Sequence, residues 1–512
     1  MIKIKDNMLW PPDVYGGLYN KMLEHSAWYS GDIEKLILFY TQVRQNNILT
    51  TSTFWGRQIK HRDILVHVPI ANDIAEVSAS LLFGEAPIVK ITEAEIEPTI
   101  YSEMEDELNN ILEQTSFMRK LLEAAETCSA MSGVYIKLAW DKTLSPYPIP
   151  VIIQPDNAIP EFKFGMLSSV IFWQNVLVDN EKVYRLLEYY EPEVIRYELY
   201  QGSADRLGTK IPLDYLDETK DLPDIINTYI SDILAVYVPN KLPNSYNRNS
   251  YLGRSDYAGI ESLMDKLDEV FTSWAKEITL AQPRILLPES FLQQTIEGDS
   301  TFDYDQALFV KLSVDPVSKM QNDVIIPQQF EIRADQYEKT ALNLIERIIV
   351  SSGYSPQTFG LSIAGRAESG TALNMRERKS FITQSKKQTY WGPAVNKLLK
   401  LFVLVYKIHL QGTIDVDVTP VIEFSDSITN NLLDMSQVVK VLSDAIAIST
   451  ETKIKMIHPE WKDEQIQAEV QRIMDENNFS SNIQNPDTFQ LDFLNQQQEQ
   501  DNNINDTQQT NN

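Results

Sequence analysis

The side chains best placed for chemistry are two carboxylates, Asp415 and Asp417, in the run Asp415-Val416-Asp417-Val418. In an extended strand residues two apart share a face, so this pair could hold Mg²⁺ and activate a water for hydrolysis. The same alternation of acid and valine is also how a half-exposed strand reads. The five histidines, His25, His61, His67, His409 and His458, are scattered, and the spacing of His61 and His67 does not put two imidazoles on one helical face. The single cysteine, Cys128, lies in Ala124-Ala125-Glu126-Thr127-Cys128-Ser129-Ala130; it excludes an intrachain disulfide and reads as a small buried residue rather than a nucleophile. Carboxylates from Glu93 to Glu107 cluster ahead of an amphipathic stretch, where they complement a helix dipole and form a solvated face. The sequence has no GxxxxGK[ST] loop, no strand followed by GxGxxG, no HExxH, no paired CxxC and no GxSxG elbow. These absences predict a protein that is not an enzyme and needs no metal or cofactor; a metal-dependent hydrolase built on Asp415 and Asp417 is the rival.

The elements that would position side chains are clearer than the chemistry. Apolar residues fall at helical spacing from Asp32 to Thr41 and from Ile70 to Phe83, the second run ending at Gly84 before an extended Ile88-Val89-Lys90-Ile91. Another amphipathic helix is predicted through Ile111, Leu112, Phe117, Leu121 and Leu122. Between residues 133 and 200 the period shortens to that of strands, predicting an antiparallel region with runs at Val134 to Trp140, Val151 to Gln154, Val170 to Val178, Val183 to Tyr190 and Val194 to Tyr200. A long helix is predicted from Ser255 to Ala281, with Ile260, Leu263, Met264, Leu267, Val270, Phe271, Trp274 and Ile278 as one stripe. A second runs from Arg333 to Val350, so the short strands and turns of Pro283 to Phe330 are an excursion between two antiparallel helices.

Four glycines, Gly353, Gly360, Gly365 and Gly370, with Pro356, Arg366 and Glu368, then make a permissive loop. The helix predicted from Thr371 to Leu410 should kink at Gly392-Pro393. It carries Arg376, Arg378, Lys379, Lys386, Lys387, Lys397, Lys400 and Lys407 against the single acid Glu377, a basic band in an acidic chain. A short β stretch, Ile414 to Phe424, leads to helices at Asn430 to Ile448 and Asp463 to Glu476. Between them Ser449 or Thr450 can cap a short helix that Pro459 closes. The end of the chain is mostly Gln, Asn and Asp, with too little apolar surface to order it.

The 512 residues, 43% hydrophobic and 23% charged, suffice for several cores. The longest apolar run, Leu398 to Leu410, is broken by Lys400 and Lys407 and falls short of the roughly 20 residues of a membrane span, so no membrane partner is expected. The start, Met1-Ile2-Lys3-Ile4-Lys5-Asp6, lacks a signal-peptide apolar region, which predicts a cytoplasmic site of assembly. The formal charge of −27 argues against a whole-surface grip on nucleic acid, which needs many Lys and Arg to neutralise phosphates. An acidic wall would leave a sliding polyanion mobile, although solubility alone accounts for such a charge as well.

In four stretches the sequence resembles the portal proteins of tailed bacteriophages, in particular those of long-tailed phages of Gram-positive hosts. They are Asn72 to Pro87; the helix, β excursion and helix from Ser255 to Val350; Ser352-Gly353-Tyr354-Ser355-Pro356-Gln357-Thr358-Phe359-Gly360-Leu361 with Glu368-Ser369-Gly370-Thr371-Ala372-Leu373; and Ile448 to Thr452 with His458-Pro459. The resemblance implies an α+β portal fold. A wing would cover 1–254, stem helices 255–282 and 331–351 would flank a β clip at 283–330, a tunnel loop would take 352–370, the kinked helix and wing strand 371–427, and a crown 428–478, before a disordered tail at 479–512.

It also implies a ring, usually a dodecamer, at one capsid vertex, through which double-stranded DNA is packaged and ejected. The implied partners are further copies of the chain, the terminase motor, a head-tail adaptor, and the major capsid and scaffolding proteins. On this resemblance Gly353, Tyr354, Gly360, Gly365, Arg366, Glu368 and Gly370 would face the channel. Arg376, Arg378, Lys379, Lys386 and Lys387 could touch phosphates, with ion pairing as the alternative. Ile260, Leu263, Leu267, Phe271 and Trp274 would pack subunit on subunit. A self-assembling ring with no DNA passage is the structural rival.

Overall fold

Helix-period and strand-period runs alternate along the chain, and the computed structural model describes how they pack for residues 3–12, 17–45, 52, 54–56, 64–92, 98–281, 284–286, 293–294, 300–301, 326–328, 331–361, 370–414, 419–424, 432–458, 461 and 463–484. The chain forms two units, residues 1–367 with 372–425, and residues 368–371 with 426–512. The first opens with α1 (Leu18–Tyr29), α2 (Ile33–Gln45), α3 (Ile70–Phe83), β1 (Ile88–Thr92), α4 (Pro98–Gln114) and α5 (Phe117–Met131). The helix expected through Ile111 and Leu122 is in fact two, because Ser116 takes a left-handed φ of 53° that no α-helix can continue. The β region follows as β2 (Gly133–Ala139), β3 (Ile149–Ile153), β4 (Ala158–Lys163), β5 (Met166–Asp179), β6 (Lys182–Glu191), β7 (Val194–Gly202), β8 (Thr209–Ile211), β9 (Ile225–Asn227) and β10 (Ala235–Pro239).

These strands pair antiparallel, as their alternation predicts, in the orders β4-β5-β6-β7-β8 and β10-β2-β3, with β9 also on β7. The sequence gives no sign of β4, because Pro160 reads as a strand breaker. It is tolerated there because β4 lies at the sheet edge.

Then come α6 (Glu261–Leu280), short strands β11 (Arg284–Leu286), β12 (Gln293–Gln294), β13 (Ser300–Thr301) and β14 (Ile326–Gln328), α7 (Ala334–Ser352), α8 (Gly370–Leu410) and β15 (Thr419–Glu423). Most of the β excursion expected at 283–330, and residues 485–512 of the expected disordered tail, lie outside the described residues. Helix α6 starts six residues later than the sequence predicts, at Glu261. Residues 255–260 are instead a turn that buries Ser255, Asp256, Tyr257 and Ile260, with exposed Gly259 at φ +88°. Helices α6 and α7 lie side by side and antiparallel. Trp274 near the end of α6 stacks on Tyr337 near the start of α7, ring centroids 6.0 Å apart and planes 5° apart. Beside that stack Glu277 accepts from Arg333 at 2.7 Å and from Tyr337 at 2.7 Å, and the Arg333 hydrogen bonds hold its carboxyl down at about 2. Pro393 stands inside α8, which continues through it as one 41-residue helix. The missing N–H of Pro393 removes one hydrogen bond from the helix there.

Among the described residues two large cores hold the first unit, with two smaller clusters on the sheet of β4 to β8. One joins α4, α5, β2 and β10 to the second half of α8 through Leu121, Val134, Val236, Trp391, Leu398 and Phe402. The other joins α1, α2 and the start of α3 to α6 and α7 through Trp28, Tyr40, Ile74, Leu267 and Ile348. Strands β1 and β15 form a two-stranded ribbon with Val89 opposite Ile422 and Ile91 opposite Pro420. Its outer edges are closed by helix side chains: Glu105 accepts from Ile91 N at 3.2 Å, Asn109 donates to Val89 O at 3.4 Å, and Asn396 accepts from Ile422 N at 2.8 Å. Pro420 occupies an outward position where no ladder N–H is needed.

The second unit contains α9 (Leu432–Asp444), α10 (Thr450–Ile457) and α11 (Asp463–Gln484). Ser449 Oγ accepts from Thr452 N at 3.2 Å, the predicted cap of α10. Ile454, Ile466 and Val470 form its small core.

Candidate functional site

Among the described residues a dense set of hydrogen bonds lies where α7 stops and α8 passes beside it. Gly353 ends α7 by taking φ +110°, a conformation that favours glycine. A helix end leaves carbonyls without intrahelical donors, and here side chains from elsewhere supply them. Lys379 of α8 donates to Val350 O, Lys241 donates to Ser352 O at 2.6 Å, and Thr383 of α8 donates to Gly353 O at 2.5 Å. The two lysines also complement the negative end of the α7 dipole. Ser355 N donates to Ser380 Oγ at 2.9 Å, and the Thr358 and Ser380 hydroxyls are 2.7 Å apart. Residues 350–358 are thereby stitched to one face of α8.

Beneath this face lies Asp256, whose side chain is 0% exposed. Its Oδ2 accepts from Lys387 at 2.5 Å, Ser129 at 2.5 Å and Tyr354 at 2.8 Å, and its Oδ1 accepts from Asn240 at 2.9 Å and pairs with Lys241 at 2.8 Å. Lys387, 3% exposed, also donates to Ser78 Oγ of α3 at 2.6 Å. Burial alone would raise the Asp256 pKa, but Lys241 and Lys387 more than reverse that and hold it far below the usual carboxylate range. Burial lowers the Lys387 pKa against the pull of Asp256, and lifts the Tyr354 phenol well above its ordinary value. A second buried polar row lies on α6. Glu261 takes His25 at 3.2 Å and Tyr246 at 2.7 Å; Asp265 takes Ser52 and Phe54 N; Asp268 takes Trp55 Nε1 at 3.1 Å, His67 Nδ1 at 2.8 Å and Val68 N at 2.8 Å. Despite burial, the hydrogen bond from His25 and its neighbours hold Glu261 down at about 2.

The carboxylates of both networks are filled by internal partners, which suits holding elements together, although the outer ring nitrogens of the α6 row, His25 Nδ1 and His67 Nε2, are buried without a hydrogen bond. Among the described residues no group of three or more His, Cys, Asp or Glu could hold a metal ion. A hollow of about 950 Å³ between β7, β8 and residues 212–225 has its basic side chains spoken for, Lys210 by Glu198, Arg196 by Glu191 and Lys220 by Asp217. Cys128 is buried, and burial pushes its thiol pKa up, as befits a packing residue. Asp415 and Asp417 lie outside the described residues. Among the described residues no helix is long and apolar enough to cross a membrane.

The expected site residues divide. Gly353 ends α7, Gly360 closes the short turn Pro356–Phe359 with φ +73°, and Gly370 begins α8. Tyr354, expected to face a channel, is 1% exposed and bonded to Asp256, because its hydroxyl finds an ionised acceptor inside. Gly365, Arg366 and Glu368 lie outside the described residues. Arg376, Arg378 and Lys386 are exposed on α8. The phosphate contact expected of Lys387 does not fit the chain, since its ammonium is buried against Asp256, and Lys379 is engaged as a cap of α7.

The apolar stripe of α6 is also used differently. Ile260 and Leu267 are buried, and Leu263 and Phe271 half-buried, in the same chain's second core, while Trp274 stacks on Tyr337, so much of the stripe is used within the chain itself. Asp256, Lys241 and the acids of α6 carry no sequence signal beyond the i, i+4, i+7 spacing of Glu261, Asp265 and Asp268, which also fits a solvated helix face.

A family profile described as phage portal protein, SPP1 Gp6-like, matches residues 19–482. No curated protein matches the chain. Among solved structures, a chain from the virion of a native gene transfer agent particle aligns with 10% identity and a TM-score of 0.42, covering 89% of this chain and 96% of that one.

Proposed function

The chain belongs to the SPP1 Gp6-like family of phage portal proteins, and we propose that its copies close into a ring, as in the dodecamers usual for portals, at one vertex of a capsid. Double-stranded DNA would enter through the ring during packaging and leave through it on ejection. The family match over residues 19–482 is the observation that carries this reading. The terminase motor and later a head-tail adaptor would dock on residues 283–330, with capsid and scaffolding proteins around the wing, and assembly would take place in the host cytoplasm. The hub of Asp256 and Lys387 supports a structural role, because it fixes the end of α7 to α8 without leaving a reactive group free.

In this reading α8 meets DNA through its exposed residues. Arg378 and Lys386 lie on the outward side of the helix and Arg376 is exposed two residues before Arg378, whereas Lys379 is folded onto the end of α7 and Lys387 is turned inward. Contacts of this kind neutralise phosphates without reading sequence. Negative-stain electron microscopy of the purified protein should show closed rings with a central opening; a monomer or a closed shell would refute the assignment. In an in vitro packaging reaction, rings carrying Arg378→Glu with Lys386→Glu should assemble normally yet package or retain less DNA, with the deficit shrinking as salt is raised. Unchanged packaging at low salt would remove these two side chains from the DNA path.

A further inference from the structure

We propose that the turn between β4 and β5 is a knob that seats in the hollow beside β8 of a second copy of the chain, an inference that rests on the ring reading above. The turn goes against two local rules at once. Lys163 pairs with Met166 across a two-residue connection, and Phe164 and Gly165 within it hold φ of 52° and 84°, the left-handed pair of a type I′ hairpin. Such a turn favours Asn, Asp or Gly at its first central position, where a phenylalanine crowds its own backbone. Water does not repay that choice, because Phe164 is 98% exposed and Met166 71%. The tip is also well supported. Beneath it the Phe162 ring packs 5.7 Å from that of Tyr237 and 5.5 Å from that of Tyr251, so the apolar end stands on a fixed base and loses little freedom on docking. A side chain that neither the turn nor the solvent favours gains only when a partner covers it.

The opposite edge of the same sheet has the matching chemistry. The strand order puts β4 at one edge and β8 at the other. Beside β8 the hollow of about 950 Å³ is walled in part by Tyr197, Ile211, Pro212, Leu222, Pro223 and Ile225, an apolar lining suited to an aromatic tip. Its three cations are matched by Glu191, Glu198 and Asp217, whereas Asp214 and Asp224, both exposed in its wall, take part in no ion pair among the described residues. That leaves the hollow negative. The tip brings Lys163, exposed and likewise in no ion pair, so charge as well as shape is complementary. Because knob and hollow are different surfaces at opposite edges of one sheet, the contact is head-to-tail, the kind that generates a ring and not a two-fold pair.

The test uses the full chain with cysteines on both surfaces. Met166→Cys leaves Phe164 in place and is combined in turn with Ile211→Cys, Leu222→Cys and Ile225→Cys; native Cys128, 0% exposed, gives little background. A short bismaleimide should join neighbours into a ladder of multimers in at least one double variant, and no single variant should give a ladder. Rings that give no ladder in any of the three overturn the contact while the ring reading stands. Linkage that stops at dimers points to a two-fold pair and overturns it as well, and a native chain that forms no rings removes both claims. A second variant separates docking from a role in the subunit's own fold. Phe164→Asn gives the turn a residue it favours, so subunits below the assembly concentration should melt no lower than the native chain, yet the concentration for half-assembly should rise about tenfold or more. Unchanged assembly, whatever the melting temperature, overturns the contact.

Discussion

Asp256→Ala should destabilise the first unit by about 3 to 5 kcal/mol, because it strands Lys387 as an uncompensated charge in a fully buried site. The native pair is not itself a large net source of stability, since both charges were desolvated to form it; the damage comes from removing one partner only. The sign of the pH dependence follows. In the variant, Lys387 has lost the carboxylate that opposed its desolvation, so its folded pKa drops further below the ordinary lysine value of 10.5. Between the two values the unfolded chain binds a proton that the folded chain does not, so stability rises with pH up to the unfolded lysine pKa. Denaturant titrations followed by tryptophan fluorescence, at neutral and at alkaline pH, should show the variant recovering towards the native protein at the higher pH. A loss that is the same at both would mean that Lys387 finds another partner.

Asp268→Ala should cost about 3 kcal/mol or more, since Trp55, His67 and Val68 all lose a buried acceptor and each orphaned donor carries a penalty of about 1 to 3 kcal/mol. The total stays below the full sum because residues 64–68 are extended and can open to water. Hydrogen exchange should therefore quicken first at the Val66 and Val68 amides, which are held by Thr272 and Asp268 of α6. Burial raises the Asp268 pKa, and the hydrogen bonds from His67, Val68 and Trp55 oppose that rise. Ionising this carboxyl thus weakens the fold as pH climbs through the window above the ordinary Asp value, and Asp268→Asn, which keeps an acceptor oxygen without the charge, should lose much less than Asp268→Ala. Equal loss in the two variants would argue that shape, not acceptance, holds residues 54–68 to α6.

The long helices and the antiparallel strands are legible because burial imposes a period, and a period survives in a single sequence. Val183 to Tyr190 and Val194 to Tyr200 fall within β6 and β7, and Arg333 to Val350 within two residues of α7. The sequence misleads where a tertiary partner overrides a local rule. Ser255 to Ile260 continues the helical apolar spacing, yet Asp256 cannot sit in a helix there and also reach Ser129, Lys241, Tyr354 and Lys387. Its partners lie on α5, on α8 and in the connections after β10 and α7, and nothing in a linear pattern joins them. The spacing of Lys379, Thr383 and Lys387 does announce a common face, but a helix wheel does not say which face turns inward. The α6 stripe reads correctly as apolar, but nothing in its spacing says that α1, α2, the start of α3 and α7 of the same chain pack on it. Likeness at the level of family is more robust than either, because it draws on stretches from Asn72 to Pro459 together.

The ribbon of β1 and β15 has a consequence for biosynthesis. Ile88 pairs with Glu423 and Thr92 with Thr419, so most of the first unit, from α4 through α8, is translated between the two strands. Until β15 leaves the ribosome, the buried faces of Val89 and Ile91 lack their strand partner, and the second half of α8 lacks the strand that Asn396 secures. Long-range pairing of this sort slows folding and keeps apolar strand surface exposed during synthesis. The unit therefore matures late, near the end of its own translation, and a nascent chain arrested before residue 419 should be held by chaperones and unable to recruit further copies.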